Sequence, residues 1–419
     1  MMSERRFIIP AYGPFAGMRA VCAGTLLAMP FAATMLADFG AEVIQIERPG
    51  VGDTQRMLAP FAELDGKTVS AAWAQESRNK LAMTLELNLK YEEVRDVFYG
   101  LIREADIFME NMVWMDKLGV FDEELLKVNP KLVIVHVSGM GHKEFGGLPN
   151  VCNRASYDMI GQAFSGWLNL QGDPDRPPVI AKPYLNDYVS AFSVLFAALS
   201  GYIHAQKTGE GQVVDVAQFE AMAKCMSSTY TAYTMLGMVT ERTGNASPSF
   251  QPYDIFLSRD GFYVALGAFG PGVYNRCIPA MGLDLDYFSY RDCSYDAEAL
   301  ASPKGRELNA AVVAWCASHD AQEIEDIMEA ARVPCSRVNT AKSAYENEHF
   351  RSRGDWIRYI DQTTGCEIEA FGIAPKMSKT PGQVWRGAPS MGQDTENILR
   401  TILGYDDARI ADLKAKKLI

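Results

Sequence analysis

The sequence predicts an α/β protein: a parallel sheet covered by helices, followed by a smaller α+β unit. In the first 140 residues, short apolar runs alternate with segments of helical periodicity. This alternation is typical of a parallel sheet with helices on its faces. Residues 240–252 are rich in Thr, Arg, Gly, Asn, Ser and Pro, which indicates a loop before a mixed region of strands and helices. A chain of 419 residues is long enough for roughly two or three domains.

In the first part, apolar runs predict strands and periodic segments predict the helices between them. The strands are Met18–Cys22, Glu42–Glu47, Leu81–Leu87, Ile107–Met109 and Leu132–Val137. The first helix, Phe31–Phe39, begins after Pro30 and ends at Gly40, and these residue types favour those two positions. The second helix, Tyr91–Glu104, has an apolar face formed by Val94, Val97, Phe98, Leu101 and Ile102.

The remainder of the chain is predicted to be more helical. Helices are predicted at Ser156–Leu170, Asp187–Gln206 and Phe219–Leu236, with a short strand at Val213–Val216. Asp254–Leu266 is predicted to be a hairpin and residues 341–392 to be loops. Two helices, Thr395–Leu403 and Asp406–Lys416, close the chain. The predicted layout is the first part of a large α/β domain at 1–220, a linker helix with a small α+β domain at 221–340, and a return to the large domain at 341–419.

Charge and cysteine content restrict the class of protein. The chain has 40 Lys and Arg residues against 52 Asp and Glu residues, a net charge of −12, which is a poor match for nucleic acid or an anionic membrane. The eight cysteines form no CxxC pair, so we expect buried thiols in a reducing compartment. No signal peptide is visible, and serines and a glycine interrupt the longest apolar stretch, Val189–Ala205. We therefore expect a cytoplasmic protein and a buried helix rather than a membrane span.

Several common catalytic motifs are absent. The sequence contains no GxxxxGK[ST], no HExxH and no GxSxG, so a P-loop, a zincin site and a nucleophile elbow are unsupported. No GxGxxG follows a strand, which disfavours a nicotinamide dehydrogenase despite the β/α pattern. The five histidines, at positions 136, 142, 204, 319 and 349, are scattered. We expect none of them to be catalytic, and we expect no metal site.

Asp187 is the residue that points to chemistry. It lies in the segment Lys182-Pro183-Tyr184-Leu185-Asn186-Asp187-Tyr188, just before an apolar helix. An aspartate in this position most often serves as the N-cap of the helix. A carboxylate at such a chain reversal is also able to act as a nucleophile when it is desolvated and faces a carbonyl group. The two interpretations are compatible, and the residues alone leave both open.

A series of segments follows, in order, the pattern of one enzyme family. They include Leu36-Ala37-Asp38-Phe39-Gly40-Ala41-Glu42-Val43-Ile44-Gln45-Ile46-Glu47-Arg48-Pro49-Gly50, Arg78-Asn79-Lys80, Val137-Ser138-Gly139-Met140-Gly141, Ser156-Tyr157-Asp158 and Trp385-Arg386-Gly387-Ala388-Pro389. The most typical run is Thr208-Gly209-Glu210-Gly211-Gln212-Val213-Val214-Asp215-Val216-Ala217. Over essentially its whole length the sequence resembles the class III CoA-transferases. The segments near Tyr184–Asp187 and Trp385–Pro389 are most similar to the carnitine/crotonobetaine and bile-acid CoA-transferases.

The resemblance implies a fold, an assembly and a reaction. It implies a Rossmann-like large domain built from both chain ends, a smaller domain between them, and two chains interlocked as a homodimer. The reaction moves CoA from an acyl-CoA donor to a free carboxylic acid. Asp187 is implied to be the nucleophile, forming a mixed anhydride and then an aspartyl-CoA thioester. No metal, nicotinamide, ATP or other cofactor is expected beyond the CoA thioester itself.

The resemblance also implies the CoA contacts. The phosphates of CoA need cations, and the family pattern assigns this role to Arg48, Lys90 and Lys117. Asn111 is implied nearby, and the backbone of Ala28 is implied to approach the nucleotide. Lys117 stands where the family usually has an arginine, so this chain offers a point charge in place of a bidentate fork.

A glycine-bearing turn at residues 138–141 follows a predicted strand. Its residues Ser138 and Gly139 are candidates for the backbone N–H groups that bind the developing oxyanion. A plain connecting turn is the alternative interpretation of the same residues.

Three other functions remain as alternatives. An acyl-CoA racemase shares the fold and has an aspartate at the position of Asp187, but it pairs that aspartate with a histidine. This chain has Tyr157 at the matching position, and tyrosine is a poor proton shuttle at neutral pH. A non-catalytic CoA-binding protein is disfavoured by the intact Asp187, and a nicotinamide oxidoreductase is disfavoured by the missing glycine motif.

The acid that accepts CoA is left open between two classes. Carnitine-type acids carry a quaternary ammonium group, which aromatic faces recognise. Such faces are available in Tyr157, Trp167, Tyr184 and Tyr188. Aromatic and Met-rich surfaces pack equally well against a steroid or aryl acid of the bile-acid type.

Overall fold

The computed structural model of the protein describes residues 5–112 and 115–419, and the chain forms two compact units. The first unit combines Met1–Trp167, Ala181–Ser227 and Arg351–Ile419, so it draws on both terminal parts of the chain. The second unit consists of Leu168–Ile180 and Ser228–Phe350. The predicted domain boundaries at residues 220 and 340 stay a prediction. They did not place the short segment 168–180 in the middle domain, whereas the second unit includes it.

Helices and strands alternate mainly in the first 138 residues, and consecutive helices are common after them. The described strands are β1 (Arg19–Cys22), β2 (Glu42–Glu47), β3 (Phe61–Leu64), β4 (Lys67–Ser70), β5 (Leu81–Thr84), β6 (Ile107–Glu110), β7 (Val133–Ser138), β8 (Gln212–Ala217), β9 (Tyr253–Leu257), β10 (Tyr263–Gly267), β11 (Cys335–Arg337), β12 (Trp356–Ile360) and β13 (Glu367–Phe371). The helices of the first 236 residues are α1 (Ala28–Asp38), α2 (Ala71–Glu76), α3 (Glu92–Glu104), α4 (Asp122–Val128), α5 (Pro149–Cys152), α6 (Asp158–Phe164), α7 (Leu185–Thr208), α8 (Gln218–Ala223) and α9 (Thr229–Leu236). Those that follow are α10 (Gly270–Ala280), α11 (Tyr290–Cys293), α12 (Ala297–Ala301), α13 (Pro303–Ser318), α14 (Ala321–Ala330), α15 (Ala341–Glu346), α16 (Glu348–Ser352), α17 (Thr395–Thr401) and α18 (Asp407–Ala415).

The centre of the first unit is a parallel sheet, which confirms the predicted α/β class. Within the described residues it has six strands in the order β5-β2-β1-β6-β7-β8, and every neighbouring pair is parallel. The strand order reverses at β1, because β2 and β5 lie on one side of it and β6, β7 and β8 on the other. In sheets of this kind, ligands bind beyond the carboxyl ends of the strands at the point of reversal.

Two apolar cores cover the two faces of the sheet. Alternate residues of a strand point to opposite faces, so Val21 belongs to one core and its neighbour Ala20 to the other. The first core includes side chains from α3, α17 and α18, and the second includes side chains from α1 and α7. Because both faces are buried, the strands are nearly continuous apolar runs, and this is why they were predictable.

Helix α7 lies along β7 and β8 on the second face. A Cβ atom on Gly201 would lie 2.6 Å from Cγ1 of Val133, so the glycine permits a close approach to the sheet. Phe192, Phe196 and Ile203 on the helix are exposed, and the expectation of a buried helix is wrong because only one side contacts the sheet. By length and composition α7 is able to cross a membrane, which for one helix is weak evidence of a span.

The outer edge of β5 is completed by the C-terminal segment. The N–H of Ala82 donates to Oδ2 of Asp394 at 2.8 Å, and the N–H of Asp394 donates to the carbonyl of Ala82 at 2.9 Å. The N–H of Thr84 donates to Oγ1 of Thr395 at 3.0 Å. These bonds satisfy backbone groups that an edge strand otherwise exposes.

Two predicted helices are interrupted by residues with left-handed backbone. The helix predicted at Phe219–Leu236 is two helices, α8 and α9, because Ser227 has a φ of +50° between them. The helix predicted at Ser156–Leu170 ends at Phe164, and Gly166, with a φ of +77°, precedes a short 3-10 turn. A helix break at one residue of positive φ does not change the spacing of apolar residues, so the sequence pattern did not predict these breaks.

Residues 341–392 contain more regular structure than the predicted loops. They include α15, α16 and the antiparallel pair β12–β13. The chain turns between the two strands at Gly365, which has a φ of +81°. The strands are only half buried, so their apolar alternation is weak in the sequence.

The second unit is built on an antiparallel sheet with described strands in the order β11-β10-β9. The hairpin predicted at Asp254–Leu266 is confirmed as β9 and β10, which pair from Leu257 and Tyr263 at the turn end to Tyr253 and Gly267. The core against this sheet comes mainly from α10, α13 and α14.

Candidate active site

Asp187 lies in the first turn of α7 but does not cap it. The helix begins at Leu185, after Tyr184, whose backbone is left-handed with a φ of +46° and which is the N-cap without a side-chain bond. Asp187 is therefore the third residue of the helix. The N-cap interpretation is wrong because the sharp turn at Tyr184 starts the helix upstream of the aspartate.

The N–H groups of this turn are bonded from outside the helix by Asp158. Its Oδ1 accepts from the N–H of Asn186 at 2.7 Å and from that of Asp187 at 3.4 Å. Its Oδ2 accepts from Nε2 of Gln162 at 2.8 Å. The Gln162 side chain also forms two hydrogen bonds with the backbone of Ala181: Nε2 donates to the carbonyl and Oε1 accepts from the N–H, both at 3.0 Å. A buried carboxylate is thus fixed beneath the positive end of the helix.

The carboxyl group of Asp187 is buried and bonded on one side. The residue is 8% exposed, and Nε2 of Gln218 donates to Oδ1 at 2.6 Å. Among the described residues no group donates a hydrogen bond to Oδ2. Burial and the charge of Asp158 raise the pKa of Asp187, the Gln218 bond lowers it, and the result is about 6. Such a group is ionised at neutral pH yet poorly solvated, which suits a nucleophile.

Gly161 lets α6 and α7 meet at this point. A Cβ atom on Gly161 would lie 2.2 Å from Nδ2 of Asn186, a fully buried residue. Any side chain at position 161 therefore displaces the buried side chain of Asn186, the residue next to Asp187.

Ser138 and Gly139 lie at the carboxyl end of β7, between the segment that precedes α6 and the start of α8. A Cβ atom on Gly139 would lie 2.0 Å from Cβ of Ser156, and the Gly139 carbonyl accepts from the N–H of Phe219 at 3.3 Å. Oγ of Ser138 is buried, with no hydrogen-bond partner in the part of the chain that the structure describes. The turn therefore belongs to the same cluster of segments as Asp187.

Asn111 marks the reversal of strand order between β1 and β6. Its Oδ1 accepts from the N–H of Thr25 at 2.9 Å, and its Nδ2 donates to the Thr25 carbonyl at 2.9 Å. This paired bond joins the segments that follow the two strands. Ala28, the first residue of α1, is buried in the same loop region. Asn111 and Ala28 both lie in segments that follow β6 and β1, at the end of the sheet where a ligand is expected.

The three predicted cations all follow strands of the same sheet and are exposed. Arg48 comes directly after β2, with a side chain that is 69% exposed. Lys90 and Lys117 lie in two loops joined by the bond from the N–H of Leu89 to the carbonyl of Leu118, 2.8 Å long. The three are well placed for a polyanion approaching that edge, but their exposure leaves each as a weak contact on its own.

Comparison with known proteins decides the family. Residues 15–395 match the model of CoA-transferase family III. The chain belongs to CoA-transferase family III. The buried Asp187 therefore lies in a class III CoA-transferase.

Relatives of the transferase match it over nearly its whole length. The bile acid CoA-transferase BaiK of Clostridium scindens is 33% identical over 407 residues, covering 96% of this chain and 89% of the relative. The succinyl-CoA–D-citramalate CoA-transferase of Chloroflexus aurantiacus is 32% identical over 409 residues, covering 97% and 98%. The crystal structure of a CAIB/BAIF family protein from Brucella suis has a TM-score of 0.80 at 25% identity and covers 93% of this chain and 100% of that chain.

The transferase carries a second group of charged side chains, on the other face of the sheet, of which Glu110 is buried and the rest are partly exposed. Glu110, His136 and Asp215 are neighbours across β6, β7 and β8. His136 bonds Glu110 through Nδ1 and both oxygens of Asp122 through Nε2 at 3.0 Å, and His142 bonds Asp215 at 2.7 Å. Burial alone lowers the pKa of His136, but the bonds and charges of Asp122 and Glu110 outweigh it and raise the pKa to about 10.

These histidines border a cavity of about 710 Å³, lined also by Asp122, Phe121, Phe145 and Cys152. His136 is held at both ring nitrogens by carboxylates, which fits an imidazolium that organises the sheet end. In the described residues no group of three or more His, Cys, Asp and Glu side chains is arranged to hold a metal ion.

Sequence reasoning did not single out Asp158, Gln218 or the His136 group. Gln218 carries a usable signal, because it comes directly after a strand, at the sheet edge where functional side chains gather. Asp158 lies beside Tyr157, the position compared with the racemases. The His136 contacts depend on the register of strands far apart in the chain, which no local pattern gives.

Proposed function

We propose that the enzyme moves CoA from an acyl-CoA to a bulky free carboxylic acid through a covalent intermediate on Asp187. The observation that carries the proposal is the Asp187 carboxyl group itself. It is buried at the start of α7 with a pKa raised to about 6 and has one oxygen without a donor among the described residues. A poorly solvated carboxylate with one oxygen free of a protein donor is reactive towards a thioester carbonyl.

The reaction begins with attack by Oδ2 of Asp187 on the thioester carbonyl carbon. The C–S bond breaks, CoA leaves as the thiolate, and a mixed anhydride remains. The thiolate then attacks Cγ of Asp187, the Cγ–Oδ2 bond breaks, and the donor acid departs as a carboxylate. The acceptor carboxylate reverses both steps and leaves as the new acyl-CoA. Each step keeps an activated acyl group, so no ATP is needed.

CoA itself is proposed to bind at the strand reversal. The two hydrogen bonds between Asn111 and Thr25, which join the segments after β6 and β1, support a nucleotide site there, with Ala28 at the start of α1 three residues on. Arg48, Lys90 and Lys117 supply the charge for its phosphates. The backbone of the Ser138–Gly139 turn is proposed to donate to the oxyanion on the donor acyl group, because this turn borders the segments next to Asp187. No cofactor beyond CoA is required.

Covalent trapping tests the mechanism. Wild-type enzyme is incubated with acyl-CoA, treated with hydroxylamine or borohydride, digested and analysed by mass spectrometry. We expect modification at Asp187 and loss of activity only when acyl-CoA is present. Asp187→Asn is the matched control and should stay unmodified, because an amide does not form the anhydride. Modification elsewhere, or none in a turning-over wild-type enzyme, contradicts the proposal.

The same preparation separates the alternatives. A racemase exchanges the α-proton of an acyl-CoA with deuterium from solvent without any acid acceptor, and Tyr157, which is 70% exposed, makes this outcome unexpected. A CoA-binding protein without turnover would bind acyl-CoA but would transfer no CoA to an acceptor acid.

For the acceptor we propose a bile-acid-type or carnitine-type acid, with the bile-acid class favoured by the similarity to BaiK. Exposed aromatic rings at Tyr157 and Tyr184 are compatible with either, whereas Tyr188 is engaged with Glu76 and Phe31. A panel of bile acids, carnitine-type acids and hydroxy-dicarboxylic acids such as citramalate, each with one acyl-CoA donor, discriminates them. A preference for the small dicarboxylates would reject both classes.

We also propose an interlocked homodimer in the cytoplasm. Exposed apolar side chains on α7 and α9, including Phe196, Tyr233 and Leu236, support burial against a second chain. Sedimentation at decreasing concentration should show a dimer that does not dissociate, and a stable folded monomer would contradict the interlocked arrangement.

A further inference from the structure

The position of Gln218 is fixed by backbone contacts of the residues before and after it. Ala217, the last residue of β8, pairs with Ser138 of β7, and the N–H of Phe219 bonds the Gly139 carbonyl at 3.3 Å. Between these two fixed points the Gln218 side chain is 7% exposed and its Nε2 lies 2.6 Å from Oδ1 of Asp187. The amide is therefore a preorganised donor rather than a mobile surface group.

This single bond makes the two carboxyl oxygens of Asp187 different. Oδ1 is occupied by the amide N–H, so the lone pairs of Oδ2 are the ones available to attack a thioester. After that attack, Oδ2 is the bridging oxygen of the anhydride. Oδ1 is then the carbonyl oxygen of the aspartyl half and still faces Gln218.

We propose that Gln218 is the oxyanion donor for every addition to Cγ of Asp187, an inference that rests on the proposed function. When the CoA thiolate attacks Cγ, the C=O electron pair moves to Oδ1, and the Gln218 N–H stabilises that charge. The intermediate collapses by breaking the Cγ–Oδ2 bond, and the donor acid leaves with Oδ2. When the acceptor carboxylate attacks the aspartyl thioester, charge returns to Oδ1 and the thiolate leaves.

The bond contributes to rate because it strengthens as the charge forms. A hydrogen bond from an amide to a neutral carbonyl oxygen is weaker than the same bond to an oxyanion, and in a buried site the difference is large. A second glutamine near the site, Gln162, does not have this role, because its amide bonds Asp158 and Ala181 instead.

Gln218→Met tests the assignment, since methionine has a similar length without a donor. We expect kcat to fall by about 100-fold while KM for acyl-CoA changes by less than about threefold. Gln218 stabilises the oxyanion on Oδ1 in the second step and not the oxyanion on the donor acyl group in the first, so free CoA should accumulate in acid-quenched single turnovers of the variant. The acid limb of the pH profile should also move to higher pH, because the lost bond had favoured the carboxylate.

Gln251→Leu is the matched control. Its amide donates to the carbonyls of Cys293 and Gly305, both at 2.8 Å, within the second unit. This variant should unfold at lower temperature but keep kcat and the pH limb. Gln218→Glu, which keeps the shape and replaces the donor by an acceptor, serves as the second variant if Gln218→Met does not fold, and its kcat should fall at least as far.

The outcomes separate this inference from the proposed function. If wild-type enzyme forms no adduct at Asp187, the covalent mechanism fails and Gln218 with it. If the adduct forms but a folded Gln218 variant keeps kcat within about twofold and the same pH limb, the Gln218 assignment alone is overturned.

Discussion

Buried carboxyl groups occur on both faces of the sheet near the ends of β7 and β8, and they differ in what balances their charge. On one face, the imidazolium of His136 lies between Glu110 and Asp122. On the other, the neighbour of Asp187 is a second carboxylate, Asp158, and its one donor is the neutral amide of Gln218. A balanced group stabilises the fold, whereas the unbalanced one keeps a reactive oxygen at a cost in stability.

The largest expected effect is on turnover by Asp187→Asn. We expect activity to fall by at least about a thousandfold, because the amide is not a nucleophile, while CoA binding measured by calorimetry persists. His142→Gln, a variant in the group around His136 on the other face of the sheet, should retain most activity. Substantial turnover by Asp187→Asn would show that the Asp187 carboxyl group is not the nucleophile and that the two faces do not differ in reactivity.

His136→Gln should have the largest effect on stability. It leaves the buried Glu110 without its cation, and we expect a loss of about 3 kcal/mol in the free energy of unfolding at pH 6. Because the folded pKa of His136, about 10, is above its unfolded value, the stabilisation is complete below about pH 6.5 and is lost as the pH rises through 10. Denaturant titrations across this range should therefore converge for wild type and variant at alkaline pH. A constant difference would contradict the ion pair.

Asp187→Asn should have the opposite sign of effect on stability. The folded pKa of Asp187, about 6, is above the unfolded value of 3.8, so the wild-type fold loses stability as the pH rises from about 4 to 6. The variant lacks this loss and should be more stable by about 3 kcal/mol at pH 7.5, with no gain at pH 4. A variant that is less stable at neutral pH would show that the Asp187 carboxylate is well balanced after all.

The smallest effect is expected from Asp158→Asn. The asparagine still accepts from the helix N–H groups but carries no charge, so the pKa of Asp187 should fall towards its ordinary value. We expect the acid limb of kcat/KM to move down by about one pH unit. An unchanged limb would mean that burial alone sets the pKa of Asp187.

The sequence predicted the parallel sheet well because each strand is apolar on both faces. β1, β2 and β6 agree with their predicted bounds within a residue. Asp187 was found through a resemblance rather than through its pattern, which by itself favoured an N-cap. The left-handed turn at Tyr184 that overturned the N-cap interpretation has no propensity signal, because tyrosine rarely adopts that backbone.

The bonding around Asp187 was not predictable from local patterns. Asp158 lies 29 residues from it and Gln218 lies 31, and only the packing of α6 and β8 against α7 brings them together. The same holds for β12–β13, whose half-buried strands give weak alternation. Local rules thus predicted the scaffold, and long-range packing determined the chemistry.

The ribosome synthesises β5 long before Asp394 and Thr395, the residues that bond its outer edge. Asp394 follows Ala82 by 312 positions, so a growing chain carries an open strand edge until the segment around Asp394 has been made. An open edge is a template for pairing with other chains. Completion of this sheet edge therefore depends on docking of the segment around Asp394 and Thr395 against β5. Truncation before residue 394 is expected to give aggregates instead of a weakened enzyme.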